Sequence, residues 1–214
     1  MRASGSVSAE IVVRPLGGGH LLPTPFFRDA GDHAAVVDPN YRQAFERLPP
    51  EGAGYDAIGL SMPLWPMRLL HQMNWGKWSL SEEIEGRRPV SHAVFREMVM
   101  ADQKYVLLLA ELLQRCGLEV FAVSAPTLFR DHNSLKRLPP AHGLKIFQTY
   151  RAIICAELDA RKVDIIDIPP QCLDDEGFMK QDYRHEDPKD EHHGNAAFGR
   201  LMMQAVEDWA AAKG

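Results

Sequence analysis

Apolar positions recur three and four residues apart along three long segments, and this spacing predicts three amphipathic helices. The segments are 90–115, 141–161 and the stretch that begins at Phe198 and runs towards the end of the chain. Gly117, after the first segment, favours a left-handed helix end. The apolar positions expected to form the buried face of that first helix are Tyr105, Leu108, Leu109, Leu112 and Leu113.

Short apolar runs bounded by glycine or proline predict strands between these helices. Three runs are of the continuous kind that parallel sheets bury, at 55–60, 119–124 and 163–168. A fourth, Ile11–Val13, leads towards a triple glycine. Strands and helices that alternate in this way predict an α/β protein, a three-layer α/β/α sandwich around a mostly parallel sheet. No repeat or linker interrupts the pattern, so we expect one domain over residues 1–214.

Composition and charge narrow the functions that the chain can have. The 214 residues carry 24 lysines and arginines against 29 acidic residues, a net charge of −5, so nothing favours nucleic acid or an anionic membrane as a partner. No run of 18 apolar residues occurs, and the first residues lack the apolar core of a secretory signal. Three cysteines without a C-x-x-C pair fit a reducing compartment. The sequence therefore predicts a cytoplasmic protein, and it contains no nucleotide-binding glycine motif that would call for a cofactor.

One charged stretch near the end of the chain carries a dense group of ionisable side chains. Residues 182–195 hold three of the nine histidines and five acidic residues, directly before the last predicted helix, for which Asn195 is a suitable N-cap. Within the stretch, Asp190 and His193 have the spacing D-x-x-H. A carboxylate at this spacing is able to fold back onto the imidazole and fix its tautomer, as the third member of a catalytic triad does. The pair is therefore a candidate general base.

The block Asp190-x-x-His193-Gly-Asn-Ala-Ala-Phe-Gly resembles the last sequence block of the SGNH (GDSL-type) hydrolases over ten residues. In that family the aspartate and the histidine complete a Ser-His-Asp triad. The resemblance implies acyl transfer to water, with an ester of a carbohydrate or of a small alcohol as the substrate and with no cofactor. It also implies that the loop after Ser124 and the end of strand 55–60 lie beside Asp190 and His193.

The serine and the oxyanion hole of such a triad have to be sought elsewhere in the chain. Ser61, at the end of strand 55–60, is a candidate nucleophile because open α/β sheets bind ligands at the carboxyl ends of their strands. The resemblance assigns the oxyanion hole to a glycine N–H near Gly18. The family's Gly-Asp-Ser or Gly-Asn-Ser block does not occur, and none of the serines near the start follows an apolar strand: Ser4, Ser6 and Ser8.

The missing block leads to a hypothesis about the start of the chain. If Ile11–Val13 is the second strand of the family's fold, the first and central strand is absent. A sheet without its central strand leaves backbone groups unpaired beside an apolar core, which is costly. We therefore expect a strand and a nucleophile upstream of Met1, and the alternative is that Ser61 serves as the nucleophile on a rearranged sheet.

Two other functions are consistent with the same residues. The first is a metal-dependent hydrolase, because His185, Glu186 and His192 join Asp190 and His193 as nitrogen and oxygen donors for zinc. The second is a non-catalytic binding or assembly protein with an SGNH-like fold, which the missing Gly-Asp-Ser block supports.

Two further features are expected to be structural. Trp65, Trp75 and Trp78 lie in a methionine-rich segment that fits either the hydrophobic core or an apolar acyl pocket, and we favour the core. His132 lies in a polar loop after the strand 119–124 and is expected at the surface.

Overall fold

The computed structural model describes residues 10–16, 19, 22–52 and 54–213. Within them the helices are α1 (Pro39–Arg42), α2 (Met67–Gln72), α3 (His92–Arg115), α4 (Pro140–Ala160) and α5 (Ala196–Lys213). The strands are β1 (Phe27–Asp29), β2 (Ala34–Val36), β3 (Arg47–Leu48), β4 (Ala57–Leu60), β5 (Trp78–Leu80), β6 (Arg88–Val90), β7 (Glu119–Val123) and β8 (Asp164–Ile166). Among these residues no helix has both the length and the apolar character needed to cross a membrane.

Strands β4, β7 and β8 form a parallel sheet in that order, as the buried apolar runs predicted. Ala57 pairs with Glu119 at one end of β4, and Phe121 pairs with Asp164 across β7 and β8. Within the described residues, the other edge of β4 has no strand partner. The predicted α/β class is confirmed, in a mixed form with small parallel and antiparallel sheets.

Alternate residues of β7 contact two different groups of apolar side chains, because neighbours along a strand point to opposite faces. Val120 and Ala122 belong to the large core cluster that includes residues of α3 and α4. Phe121 belongs to a smaller cluster with Phe198 of α5. The ring of Phe121 also covers Gly59 of β4, where a Cβ would lie only 2.5 Å from it, so β4 needs a glycine at that position.

The three long helices lie within a few residues of their predicted bounds. The hydroxyl of Ser91 accepts a hydrogen bond from the N–H of Val94 at 3.3 Å and so begins α3. Gly117 follows the end of α3 with a φ of 84°, the left-handed conformation that was expected there. One assignment on α3 was wrong, because Leu108 is 42% exposed and the buried face includes Val106 instead.

Two small sheets were not predicted. Strands β1, β2 and β3 form an antiparallel sheet in that order, and β5 pairs with β6 in parallel. Each strand has only two or three residues, which is too short for an alternating pattern to stand out in the sequence. The sheets are therefore stabilised by their tertiary neighbours and not by a strong local preference.

The prediction of a first strand at Ile11–Val13 was wrong, and the prediction that the tryptophans belong to the core is confirmed. Ile11–Val13 forms no strand, and Val13 is 77% exposed, so this apolar run is not part of a sheet. Trp75 and Met67 are buried in the large core cluster, and Trp65 and Trp78 pack against it. The methionine-rich segment is therefore core, as expected.

Candidate active site

The carboxyl ends of β4, β7 and β8 lie at one edge of the parallel sheet, and a polar residue follows each of them. Ser61 follows β4 and is exposed. Ser124 follows β7 and is buried, and its hydroxyl donates to Asp167 Oδ1, just beyond β8, at 3.1 Å. The guanidinium of Arg151 donates to the same hydroxyl at 3.1 Å. Ser124 is thus held in a structural network and is not a free nucleophile.

A loop over residues 183–195 carries the candidate pair and is closed at its base by backbone hydrogen bonds. The N–H of Asn195 donates to the carbonyl of Tyr183 at 2.9 Å, and the N–H of His185 donates to the carbonyl of His193 at 3.2 Å. These bonds hold the two ends of the loop together, so the positions of its side chains are restricted.

Asn195 anchors this loop to the last helix. Its Oδ1 accepts hydrogen bonds from the N–H groups of Ala197 and Phe198 at 3.0 and 3.1 Å, and its Nδ2 donates to the carbonyl of Asp182 at 2.8 Å. The prediction that Asn195 caps α5 is confirmed. Asn195 therefore fixes the end of the loop to α5 and also holds the residue that precedes the loop, Asp182.

Asp190 and His193 are in direct contact. Nδ1 of His193 lies 2.8 Å from Oδ2 and 3.0 Å from Oδ1 of Asp190. Because the carboxylate only accepts hydrogen bonds, Nδ1 carries the proton and Nε2 has the free lone pair. The side chain of His193 is 66% exposed, and in the described part of the chain Nε2 has no hydrogen-bond partner. This is the tautomer that a general base requires.

The electrostatics of Asp190 suit this role. Burial alone would raise the pKa of the carboxyl group, but hydrogen bonds from the ring and backbone N–H of His193 and from the backbone N–H of His192 outweigh it and lower the pKa to about 2. The carboxylate is therefore charged at neutral pH, and it would stabilise a protonated imidazole at position 193.

Three more imidazoles lie beside the pair. The ring centroids of His71 and His132 are 5.5 Å apart, those of His132 and His192 5.8 Å, and those of His71 and His192 6.1 Å. The ring of His192 is in turn 5.5 Å from that of His193. His71 lies on α2, His132 after β7 and His192 in the loop after β8, so the segments that follow all three parallel strands meet here. His71 was not predicted, since a single histidine on a short helix fits no motif.

His132 is buried, contrary to expectation, with 1% of its surface exposed. Its Nδ1 accepts a hydrogen bond from the N–H of Ser134 at 3.1 Å and so begins the 3-10 helix Asn133–Arg137. The ring is therefore held by the backbone of the segment that follows it. Its Nε2 has no partner among the described atoms. Burial, helped by His71 nearby, lowers the pKa of His132 to about 4, so the ring is neutral at pH 7.

Two contacts connect the loop of His132 to the loop of the pair. Glu191 accepts a hydrogen bond from the backbone N–H of Asn133 at 3.1 Å. Arg184 forms an ion pair with Asp131, which also accepts from Gln181 at 3.1 Å. The two loops are therefore held as one unit.

We expect His132 to make the stability of the protein depend on pH. In the unfolded chain the imidazole of His132 is protonated below about pH 6.5, whereas in the folded protein it is protonated only below about pH 4. The free energy of unfolding therefore falls as the pH drops from 6.5 to 4. A shift of this size corresponds to roughly 3 kcal/mol. The measurement is urea unfolding from pH 4 to 8. His132→Asn keeps an acceptor for the N–H of Ser134 but does not titrate, so its unfolding free energy should vary less over that range. An unchanged slope would contradict the assignment.

The remaining candidate residues are not brought together. In the described residues, no hydrogen bond joins Ser61 to His193. Gly18, the candidate oxyanion donor, lies outside the described residues. The proposed metal donors do not converge either, since the described residues contain no group of three or more His, Cys, Asp or Glu that could hold a metal ion. Both oxygens of Asp190 are engaged by His193 instead.

Gly194 has no room for a side chain. A Cβ there would lie 2.4 Å from Cδ1 and 2.7 Å from Cγ of Phe198, which is buried. We expect Gly194→Ala to lower the free energy of unfolding by about 1–3 kcal/mol, because the ring has to move within a packed cluster. The measurement is chemical unfolding at pH 7.

Gly199 supplies the matched control, since a Cβ there meets nothing within 4 Å and the residue lies in α5. Gly199→Ala should stabilise the protein by up to about 1 kcal/mol through helix propensity. Equal effects of the two substitutions would rule out the close packing against Phe198 as the cause.

The fold and the site together define a mixed α/β protein with an aspartate–histidine pair at the carboxyl edge of a parallel sheet. Comparison with protein-family models, with curated proteins and with solved structures finds no match to this chain.

Proposed function

We propose that this protein is an SGNH-type ester hydrolase in which Asp190 and His193 form the acid–base part of the active site. The observation that carries the proposal is the ring of His193, held by the carboxylate through Nδ1 while Nε2 is open to solvent. The proposal includes the three-layer α/β/α sandwich of that family, and the separate apolar clusters that the two faces of β7 contact support it.

The proposed reaction is acyl transfer to water through a serine. Nε2 of His193 takes the proton from a serine hydroxyl while the serine oxygen attacks the ester carbonyl carbon. The alcohol leaves with that proton, and water then releases the acyl group by the same steps. Asp190, whose pKa is lowered to about 2, stabilises the imidazolium.

Ser61 is the candidate nucleophile within the described chain. It is exposed at the end of β4, and the segment that follows it leads into α2, where the ring of His71 lies 6.1 Å from that of His192. The segment after β4 therefore borders the site. A movement of this segment would be needed to bring the hydroxyl to Nε2 of His193.

The proposed substrate is an ester of a carbohydrate or of another hydroxyl-rich alcohol. Burial lowers the pKa of His132 and of His192, so both rings are neutral at pH 7. Neutral imidazoles donate and accept hydrogen bonds, and a hydroxyl group needs partners of both kinds.

The free state of the three cysteines supports the expected cytoplasmic location.

A fluorophosphonate probe tests the proposal, because it labels serines that a base has activated. We expect labelling of the wild-type protein at one serine, identified by mass spectrometry of its peptides, and no labelling of His193→Ala. Labelling at Ser61 would support it as the nucleophile. If the wild-type protein takes up no probe and hydrolyses no p-nitrophenyl acetate, the enzyme proposal fails.

A non-catalytic binding protein is the second candidate function. The observation in its favour is that, in the described residues, no hydroxyl is hydrogen-bonded to His193. In that case the imidazoles would bind a ligand without reacting with it, and the fluorophosphonate probe would label neither the wild-type protein nor His193→Ala.

A further inference from the structure

Two arginines lie on the outer face of the antiparallel sheet, on either side of an alanine. Arg28 of β1 pairs with Ala35 of β2, and Ala35 pairs with Arg47 of β3. Directly opposed residues of antiparallel strands point to the same face, so the three side chains form one row. Neighbouring strands are about 4.8 Å apart, so the two arginine side chains leave the sheet about 10 Å from each other. Ala35 lies between them, and its small side chain leaves space above the sheet.

The opposite face of this sheet is packed, which distinguishes the two sides. Ala34, Val36 and Leu48 are buried in the large core cluster. The row of Arg28 and Arg47 instead lines an open cavity of about 780 Å³. A volume of this size suits a small organic ligand.

The walls of the cavity add charge and aromatic surface. Arg14, from the segment before β1, and Arg42, at the end of α1, also line it, together with the rings of Phe45 and Tyr55. The acidic lining is smaller, two glutamates against four arginines. This excess of positive charge stands out in a chain whose net charge is −5.

The arginines of the cavity are poorly matched by carboxylates. Among the described residues, no carboxylate lies within ion-pair distance of Arg14, Arg28 or Arg42. Arg47 has only a long contact of 3.7 Å from Nη2 to Asp32, and that carboxylate is already engaged at 2.6 Å by its neighbour His33.

Arg47 also has a buried atom that needs a partner. Its Nε is buried and makes no hydrogen bond to the described residues. A buried donor without an acceptor is costly. Arg47 therefore has a weakly matched charge and an unsatisfied donor.

We propose that this cavity is a binding site for a phosphorylated small molecule, with the phosphoryl oxygens held between Arg28 and Arg47. Guanidinium groups pair with phosphate oxygens through two parallel hydrogen bonds, and several arginines around one anion offset its charge. Phe45 and Tyr55 provide apolar surface for the organic part of the ligand.

This site is separate from the candidate active site. Tyr55 precedes β4 by two residues, so the cavity lies near the amino end of the parallel strand, whereas Ser61 and the histidines lie at the carboxyl end. Arg115 at the end of α3 contacts Asp29 of β1, which also places the antiparallel sheet at the amino end of β7. The proposal therefore does not depend on ester hydrolysis.

Isothermal titration with sodium pyrophosphate, in about 0.15 M NaCl to screen weak surface binding, tests the proposal. We expect one site per chain, and a loss of affinity of about tenfold or more in Arg28→Gln and in Arg47→Gln, as the removal of a charge-assisted hydrogen bond predicts. Glu51→Gln should bind pyrophosphate more tightly, because it removes a repulsive charge from the lining. Arg28 is exposed, so its variant is expected to fold even if Arg47→Gln does not.

Arg88→Gln is the matched control, since Arg88 is exposed on β6 and does not line the cavity. Its affinity for pyrophosphate should equal that of the wild-type protein. No saturable binding, or equal losses in Arg88→Gln and Arg28→Gln, would overturn the proposal. A single-stranded RNA oligonucleotide that binds more tightly than pyrophosphate, and through the same arginines, would overturn it in favour of a nucleic-acid site.

Discussion

Replacement of His193 by alanine is expected to reduce kcat/KM for ester hydrolysis by about a thousandfold or more. The substitution removes the group that takes the proton from the nucleophile and returns it to the leaving alcohol, and the loss of such a base from a triad has effects of this size. His193 is exposed and its neighbours are anchored by Asn195, so the fold should survive. The measurement is steady-state hydrolysis of p-nitrophenyl acetate, with circular dichroism to confirm the fold.

Asp190→Asn and His92→Ala complete this test. The amide keeps the size of the aspartate but not its charge, so hydrolysis should fall by about a hundredfold or more while His193 is still present. His92 is an exposed imidazole at the start of α3, far in sequence from the pair, and its removal should leave the rate unchanged. A wild-type rate in His193→Ala would remove the pair from the mechanism.

Replacement of Arg68 by methionine is expected to destabilise the protein by about 3–5 kcal/mol. Arg68 of α2 forms an ion pair with Asp102 of α3, which is 2% exposed. Tyr150 of α4 donates to the same carboxylate at 3.0 Å, as does Gln103, so the group joins three helices. Without the guanidinium the buried carboxylate loses its counter-charge, and this kind of loss has an effect of that size.

A double substitution separates the charge effect from the loss of packing. Arg68→Met with Asp102→Asn has no buried charge, and the amide oxygen still accepts from Tyr150, so we expect it to be clearly more stable than Arg68→Met alone. Arg88→Met on the surface should change the free energy of unfolding by less than about 0.5 kcal/mol. The measurement is urea unfolding at pH 7, and a double variant no more stable than Arg68→Met would contradict the role of the buried charge.

This network also bears on the candidate active site. Arg68 precedes His71 by one helical turn on α2, so the ion pair that fixes α2 against α3 also positions the ring of His71 beside His132 and His192. We therefore expect Arg68→Met to lower the rate of hydrolysis, and the added Asp102→Asn substitution to restore part of that rate along with the stability.

Features that depend on neighbours in the sequence were predicted well. The helices over 90–115 and 141–161 follow from the spacing of apolar positions, and Gly117 from the need for a left-handed residue after a helix. Contact between Asp190 and His193 was predictable because they are three positions apart and a turn brings such neighbours together. The capping by Asn195 is equally local. Their catalytic role remains a proposal.

Features that depend on distant residues were decided by the tertiary structure. His71 is 61 residues from His132, which is 60 residues from His192, and only the packing of α2 and of two loops brings their rings together. The burial of His132 was missed because its ring lies beside those of His71 and His192, which are distant from it in the sequence.

The same reason explains the cavity and the misplaced first strand. Arg28 and Arg47 share one face only because both pair across β2, and pairing between strands of two or three residues leaves no period to detect. Ile11–Val13 has the composition of a strand but pairs with no strand among the described residues. The spacing of apolar residues along a helix and the capping of its ends depend on a few neighbouring residues, so the sequence alone determines them. Strand pairing and the meeting of distant side chains depend on which surfaces pack together, and only the folded chain decides that.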